Sequence, residues 1–128
     1  DLVAVGHPVH RADAVRGLLD GHVVLSRRLG ASGHYPAIDI LNSVSRVASQ
    51  IAAPAQLKAA GKLREALACY HHSEDLLQLG AYVSGSNAKL DASIRARERI
   101  LNFLRQDSHE KSELITTLSS LTEIAATL

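Results

Sequence analysis

The side chains in this sequence that could carry chemistry are few, and the histidine pairs are the first to consider. His7 and His10 lie three residues apart, and His71 and His72 are adjacent. A zinc site needs three or four ligands of defined type, and neither pair has a third ligand close to it in the sequence. We therefore expect solvated histidines and no metal site.

The sequence also gives no support for nucleophilic catalysis. Ser26, Ser43 and Ser45 have no His and Asp arranged as a hydrolase triad would require. Cys69 is the single cysteine, so no internal disulfide can form, and we expect a small packing residue. The phosphate-binding pattern G-x-x-x-x-G-K-[ST] does not occur in the 128 residues. Nothing in the sequence is therefore expected to cradle phosphates.

The composition is that of one domain with an aliphatic core. The chain has three Tyr, one Phe and neither Trp nor Met, so the core depends on Leu, Ile, Val and Ala, which suits helix packing. A net charge of +1 makes nucleic acid a poor candidate partner, because phosphate binding needs concentrated Lys and Arg. No apolar run approaches the about 20 residues that cross a bilayer. A lone cysteine fits a reducing cytoplasm.

Helical periodicity dominates from Pro54 onward. Proline is favourable at a first helical position, and apolar residues recur at helical spacing from Leu57 to Leu77. Gly80 supplies a C-terminal stop. The pattern predicts one helix from Pro54 to Leu79.

Two further helices are predicted after the loop "YVSGSN". Ser86 can cap the first of them. Asp107 and Glu110 have the spacing of a capping box, which predicts the start of the last helix. Residues 54–128 therefore indicate a bundle of three main helices.

The first half of the chain has a different pattern. Residues 2–5 suggest a short strand, residues 12–19 a helix, and "HVVLS", from His22 to Ser26, a further strand. Pro36 biases Tyr35 to an extended backbone. About fifty residues cannot close a parallel sheet, since each parallel strand needs a crossover of a dozen or more residues. We expect a mainly α chain that ends an α/β domain, and we interpret its opening without Met as the interior of a longer protein.

Several stretches carry a resemblance to a known family. "LDGHVVLSRRL", "GHYPAID" and "SVSRV" resemble, in this order, the end of the nucleotide-binding domain of type III secretion and flagellar export ATPases, which are relatives of F-type ATP synthase subunits. "YHHSEDLLQLGAY", "GSNAKLDASI" and "ILNFLRQ" are similar to the helical C-terminal domain of that family. The resemblance implies the remnant of a RecA-like ATPase domain at residues 1–53 and a helical C-terminal domain at residues 54–128. The phosphate-binding loop and the acidic residues for magnesium would lie upstream.

The resemblance also implies roles for three residues. Arg46, in "SVSRV", resembles the arginine finger that acts in trans on the phosphoryl group of a neighbouring subunit; an Arg paired with a surface carboxylate is the alternative. Tyr35, in "GHYPAID", resembles the aromatic residue that stacks on adenine, with a half-buried structural Tyr as the alternative. Phe103 is a candidate for the far side of that adenine pocket, although core packing is the more usual role of such a residue.

Cofactors and partners follow from the same resemblance. The longer protein, called the parent protein below, would use ATP and Mg²⁺, whereas this chain alone would bind neither. The parent would form a homohexamer and contact export chaperones with their cargo, a central stalk protein and a stator or regulator. Residues 79–128 would take part in this docking. The parent would be cytoplasmic and peripheral at the inner membrane face of the secretion apparatus.

Two functions from different classes remain open. In the first, the chain is the C-terminal part of a hexameric ATPase that powers type III protein export by releasing chaperones and unfolding cargo, and it is inactive alone. In the second, it is a free-standing helical adaptor that binds secretion chaperones or other proteins without nucleotide chemistry.

Overall fold

The computed structural model describes residues 14–128, so His7, His10, the strand expected at residues 2–5 and the start of the helix expected at 12–19 lie outside the described part. None of the helices in that part is long and apolar enough to cross a membrane. In chain order the elements are α1 (residues 14–18), β1 (Gly21–His22), α2 (Arg27–Ala31), β2 (Val44–Ser45), α3 (Ala48–Ile51), α4 (Pro54–His72), α5 (Glu74–Gln78), α6 (Ala88–Leu104) and α7 (Leu114–Ala125).

Helices α4, α6 and α7 pack around one apolar core. Leu63 of α4 and Ile100 of α6 are almost fully buried in it, and each such side chain contributes about 1.5–3 kcal/mol by leaving water. Alanines supply much of the remainder, which lets the helix backbones approach closely. The core residues are Ala59, Leu63, Ala66, Ala96, Ile100, Leu121, Ile124 and Ala125. The mainly α fold expected from the sequence is confirmed.

The helix expected from Pro54 to Leu79 is interrupted at Ser73. The backbone N–H of Ser73 donates to the carbonyl oxygen of Tyr70, three residues back, at 3.0 Å, which tightens the last turn of α4 and ends it. The chain then forms the separate short helix α5. Gly80, with φ of +66°, adopts the left-handed conformation expected of a stop signal.

The N-cap of α6 lies one residue later than the cap expected at Ser86. Asn87 is the N-cap, and its side-chain oxygen accepts hydrogen bonds from the N–H groups of Lys89 and Leu90, each at 3.1 Å. The hydroxyl of Ser86 instead donates to the carbonyl oxygen of Val83 at 2.6 Å. Both residue types satisfy this position, so the geometry of the preceding turn decides between them.

Only one of the two hydrogen bonds of the capping box expected at Asp107 and Glu110 forms, and it forms without a helix. The carboxylate of Glu110 accepts a hydrogen bond from the N–H of Asp107 at 3.1 Å, but the residues between them form a turn. Helix α7 begins only at Leu114, with Glu113 at its N-cap. The N–H of Glu110 donates to the backbone carbonyl oxygen of Asp107 at 3.0 Å and not to its side chain. These local contacts stabilise a turn here because the residues after it are polar and exposed.

The strand expected at His22–Ser26 is much shorter than its apolar run. Strands β1 and β2 pair in antiparallel fashion, with Gly21 opposite Ser45, and a single bridge joins Leu25 to Ile38. A Cβ atom on Gly21 would lie 2.6 Å from the carbonyl oxygen of Val44, so this pairing requires glycine. Beyond these two residues the segment bonds the stretch before β2 instead: the N–H of Ser26 donates to the carbonyl oxygen of Ala37, and that of Asp39 donates to the carbonyl oxygen of Val24, each at 2.8 Å.

His34, just after α2, is a buried ionisable side chain that is 4% exposed. Burial lowers the pKa of its imidazole, and the positive charge of Arg105 lowers it further. The folded protein therefore favours neutral His34.

Replacing Ile100 by Ala tests the helical core. We expect a loss of about 2–5 kcal/mol in the free energy of unfolding, because the truncation leaves a cavity among three helices. Ile94→Ala on the same helix is the matched control, since Ile94 is 36% exposed, and it should cost much less. Urea unfolding of the 128-residue chain measures both, and equal losses would contradict the assigned core.

The lowered pKa of His34 predicts a pH-dependent stability. The unfolded chain binds a proton near the ordinary histidine pKa of about 6.5, while the folded chain binds it only at lower pH. Stability should therefore fall as the pH drops below about 6.5, and the loss should level off below the folded pKa. The free energy of unfolding of wild type, His34→Gln and Arg105→Gln, compared between about pH 7 and pH 5, should drop most in wild type. An identical drop in His34→Gln would refute this origin.

Candidate functional site

Tyr35 lies on a tight turn that follows α2. Gly33 adopts a left-handed φ of +73°, and the Tyr35–Pro36 peptide bond is cis. The side chain of Tyr35 is 60% exposed, while its backbone carbonyl accepts a hydrogen bond from the N–H of Gln106 at 3.0 Å. The backbone of the turn is thus tied to the chain just after α6, and the aromatic ring is left accessible.

Tyr35 is one of the residues that line a cavity of about 300 Å³. Its lining is polar and comes from the Tyr35 turn and from the end of α6 with the turn after it: Gly33, Tyr35, Asn102, Arg105, Gln106, Asp107 and Glu110. Such a lining offers hydrogen-bond donors and acceptors close to an exposed tyrosine.

Phe103 does not line this cavity. It is half-buried and packs against the helical core, which is the alternative role considered for it. Tyr35 lines the cavity together with Asn102 and Arg105, which are close to Phe103 in the sequence, whereas Phe103 itself does not line it. The sequence analysis did not identify Asn102 and Arg105 as cavity residues. Their positions close to Phe103, at the end of a predicted helix, could have indicated them.

Arg46 follows β2 directly and is exposed. Its N–H donates to the carbonyl oxygen of Asp20 at 2.7 Å. Its guanidinium donates to the carbonyl oxygens of Arg16 and Gly17 at 3.3 and 3.2 Å. These carbonyls belong to the last turn of α1, where intrahelical partners are lacking.

No carboxylate within residues 14–128 pairs with Arg46. The ion pair considered as its alternative role is therefore not formed in this part of the chain. The two contacts to neutral carbonyl oxygens use two of the five side-chain N–H donors of Arg46, so within the described residues the other donors are available for a further acceptor.

The turn before β2 is closed by its own polar side chains. The carboxylate of Asp39 accepts hydrogen bonds from the N–H and the amide of Asn42 at 3.1 and 2.8 Å. The hydroxyl of Ser43 donates to the carbonyl oxygen of Asp39 at 2.6 Å and accepts from the N–H of Val24 at 2.9 Å. This turn connects the Tyr35 segment to Arg46.

Arg64 of α4 contacts that turn from the helical half of the chain. Its guanidinium donates to the carbonyl oxygen of Leu41 at 3.3 Å and to that of Ser43 at 3.4 Å. Sequence reasoning missed Arg64, because nothing in local spacing links it to a turn 21 residues earlier.

A second polar contact joins α2 to α5. Arg28 donates to the carboxylate of Glu74 at 3.2 Å, and the imidazole of His71 lies 3.2 Å from the same oxygen. His72 contacts the carbonyl oxygen of Ala68 at 2.7 Å, so neither histidine is simply solvated. No group of three or more metal-ligating side chains occurs in the described part.

An open cleft of about 730 Å³ lies between these contacts. The α2 and turn segments form one wall, and α4 and α6 form the other. Arg97 lies in it, with its guanidinium carbon 4.5 Å from the centroid of the Tyr70 ring. The two halves of the chain therefore meet across polar contacts and a partly open cleft.

The loop region after α5 exposes apolar side chains. Leu79 and Val83 are 81% and 70% exposed, and Leu76 on α5 is also exposed. The adjoining loop is nevertheless ordered, because Asp91 accepts hydrogen bonds from the hydroxyl of Tyr82 and the N–H of Gly85, each at 2.9 Å.

Two family models match the sequence. Residues 52–123 match the model for the C-terminal domain of the T3SS EscN ATPase. Residues 6–45 match the nucleotide-binding domain of the ATP synthase alpha/beta family. The first match alone covers more than half of the chain.

Whole proteins of the same kind are similar to this chain. The flagellum-specific ATP synthase of Bacillus subtilis (strain 168) is 43% identical over 113 residues, which is 88% of this chain and 26% of that protein. The type 3 secretion system ATPase of Pseudomonas syringae pv. syringae is 44% identical over 117 residues, or 91% of this chain and 26% of that protein. The chain thus spans about a quarter of the length of these relatives.

Solved structures agree in fold. The assembled ATPase EscN from the type III secretion system of enteropathogenic E. coli matches 94% of this chain and 29% of its own, with a TM-score of 0.86 and 36% identity. EscN in complex with its central stalk EscO matches 89% of this chain and 28% of its own, with a TM-score of 0.85 and 37% identity. The family expected from the sequence is confirmed: the chain belongs to the type III secretion and flagellar export ATPases.

Proposed function

We propose that this chain is the C-terminal part of a hexameric, Mg²⁺-dependent ATPase that powers type III protein export. Family membership and an exposed Arg46 without a carboxylate partner in the described residues carry the proposal. ATP hydrolysis by the parent would release chaperones and unfold cargo at the membrane export gate. The parent would be cytoplasmic and peripheral to the membrane.

Arg46 acts in this proposal as an arginine finger in trans. Phosphoryl transfer spreads negative charge over the equatorial oxygens, and a guanidinium from the next subunit stabilises that charge. The exposed position of Arg46 suits this role, since its contacts to Arg16 and Gly17 involve only neutral carbonyl oxygens at 3.3 and 3.2 Å. A phosphate oxygen would be a stronger partner for the same donors.

Tyr35 provides the face on which adenine stacks. It is exposed and lines a cavity of about 300 Å³, and the hydrogen bond from Gln106 fixes its backbone. The residues around the ring are therefore compatible with a flat base that carries polar edges. The placement of Phe103 in the core favours packing over adenine contact for that residue.

The helical half serves as the docking domain. Leu76, Leu79 and Val83 are exposed in α5 and the loop after it, and exposed apolar side chains are typical of protein interaction sites where they form a contiguous patch. EscN is known in complex with its central stalk EscO. We propose that residues 79–128 contact such a stalk and the export chaperones, with a stator or regulator as a further partner.

The chain alone is proposed to be inactive as an ATPase. Its sequence has no phosphate-binding loop, so it would supply Arg46 and Tyr35 to a site whose phosphate-binding part lies in the parent. A free-standing adaptor without nucleotide chemistry is the alternative, and it gives Arg46 no influence on hydrolysis.

Replacing Arg46 by Ala in the parent should lower kcat by about 10³–10⁵, the range known for such fingers, while the hexamer persists. Mixed hexamers test the action in trans. Subunits with Arg46→Ala are combined with subunits that lack the phosphate-binding lysine, each inactive alone. Activity should reappear, because some interfaces then unite an intact finger with an intact phosphate site. An unchanged kcat in Arg46→Ala would favour the adaptor, and mixtures without activity would refute the trans arrangement.

Replacing Tyr35 by Ala in the parent should raise the KM for ATP. Base–aromatic stacking is worth about 1–3 kcal/mol, so the increase should be roughly 5- to 150-fold, with a smaller change in kcat. Tyr35→Phe is the matched control, because it keeps the aromatic face and removes only the hydroxyl. Steady-state kinetics distinguishes the two variants, and equal KM values for Tyr35→Ala and wild type would rule out stacking.

A further inference from the structure

We propose that Arg64 is a positioning residue for Arg46: through the turn before β2, helix α4 sets where the finger lies. The inference rests on the proposed role of Arg46. It assigns to the helical domain a direct part in the hydrolytic site, in addition to docking.

The contact is one of several hydrogen bonds between the two halves of the chain, and it is the one that reaches the turn before β2. Both terminal nitrogens of Arg64 reach the carbonyl oxygen of Ser43 at 3.4 Å, and one of them also reaches that of Leu41 at 3.3 Å. One planar guanidinium therefore bridges two carbonyls of the same turn. This fork-shaped donor is more directional than a single ammonium group.

The helix behind Arg64 is firmly held. Leu63 and Ala66, its close neighbours along α4, are 4% and 6% exposed in the core. The next residue, Glu65, forms an ion pair with Lys89 of α6. The stem of Arg64 thus starts from a helix that is fixed against α6 and α7, and the guanidinium transfers this position to the turn.

The path from the turn to the finger is short. Ser43 accepts from Arg64 and is followed by the two residues of β2, which pair with β1. Arg46 comes next, and its own N–H is bound to the carbonyl oxygen of Asp20 at 2.7 Å. We therefore expect a shift of the turn to move β2 and, with it, the guanidinium of Arg46, whose proposed catalytic effect depends on its position.

A purely stabilising role fits Arg64 less well. The residue is exposed, and in the described part its guanidinium has neither a carboxylate partner nor an aromatic ring to stack on. Its hydrogen bonds all go to the turn that leads to Arg46. Loss of these bonds should leave the helical core intact and change the position of the turn.

Arg64→Ala in the parent ATPase tests the inference. We expect kcat to fall roughly 2- to 30-fold, the usual range for residues that act through a network. The KM for ATP and the hexamer should change little, because Tyr35 and the core are untouched. Arg64→Lys should recover part of the loss. Arg99→Ala is the matched control: Arg99 is exposed on α6, and its side chain makes no hydrogen bond or ion pair within residues 14–128.

The double variant Arg46→Ala/Arg64→Ala separates positioning from other effects. If Arg64 acts through Arg46, the double variant should have the same kcat as Arg46→Ala alone, since coupled residues are not additive. A further drop by the full factor of the single Arg64 variant would overturn the inference, as would an unchanged kcat in Arg64→Ala.

Two other outcomes have separate meanings. If Arg64→Ala fails to assemble, hexameric Arg64→Lys replaces it, and a wild-type kcat there would overturn the inference. If Arg46→Ala itself leaves kcat unchanged, the trans-finger function fails and takes the role of Arg64 with it. A loss in Arg46→Ala with none in Arg64→Ala refutes only the positioning role.

Discussion

The packing of α4 against both α6 and α7 is the constraint on which the rest of the described structure depends. Its buried face is narrow and includes Ala59 and Ala66, so the three helices lie close together around Leu63. Close packing leaves the remaining faces of α4 for polar contacts. Lys62 donates to the carbonyl oxygen of Ala125 at the end of α7 at 3.0 Å, while Arg64 binds the turn before β2. Helix α4 therefore contacts both the other helices of the bundle and the segment that carries the candidate finger, Arg46.

The first half of the chain is held together by other forces. Its large apolar side chains are mostly exposed, among them Leu18, Val23 and Leu25, so hydrophobic burial contributes little there. Backbone hydrogen bonds replace it: the N–H of Ser26 donates to the carbonyl oxygen of Ala37 at 2.8 Å, and that of Asp39 to Val24 at 2.8 Å. The relatives are about four times as long as the matched region, and in the proposed parent a larger sheet would cover these apolar side chains.

Periodicity in the sequence is sufficient to predict α4, α6 and α7, because burial of one apolar face dictates that pattern. Shorter features depend on more than local residue types. Ser86 and Asn87 are both good caps, and only the path of the preceding loop selects Asn87. Asp107 and Glu110 make one of the two expected contacts without a helix. The contacts of Arg28 and Arg64 cross 46 and 21 residues, so no spacing rule could reveal them. Arg46 and Tyr35 were found through a resemblance and not through their spacing.

The contacts between the two halves of the chain share a physical character that suits the proposed function. Arg28 with Glu74, Gln106 with Tyr35, and Arg64 with the turn are all hydrogen bonds near the surface. Exposed hydrogen bonds exchange readily with water, so their net energies are small. The helical core can therefore keep its packing while the segment that carries Tyr35 and Arg46 changes position relative to it. Because hydrogen bonds are directional, they still restrict the positions that this segment can take relative to the helical core. An apolar interface of the same size would restrict those positions less sharply.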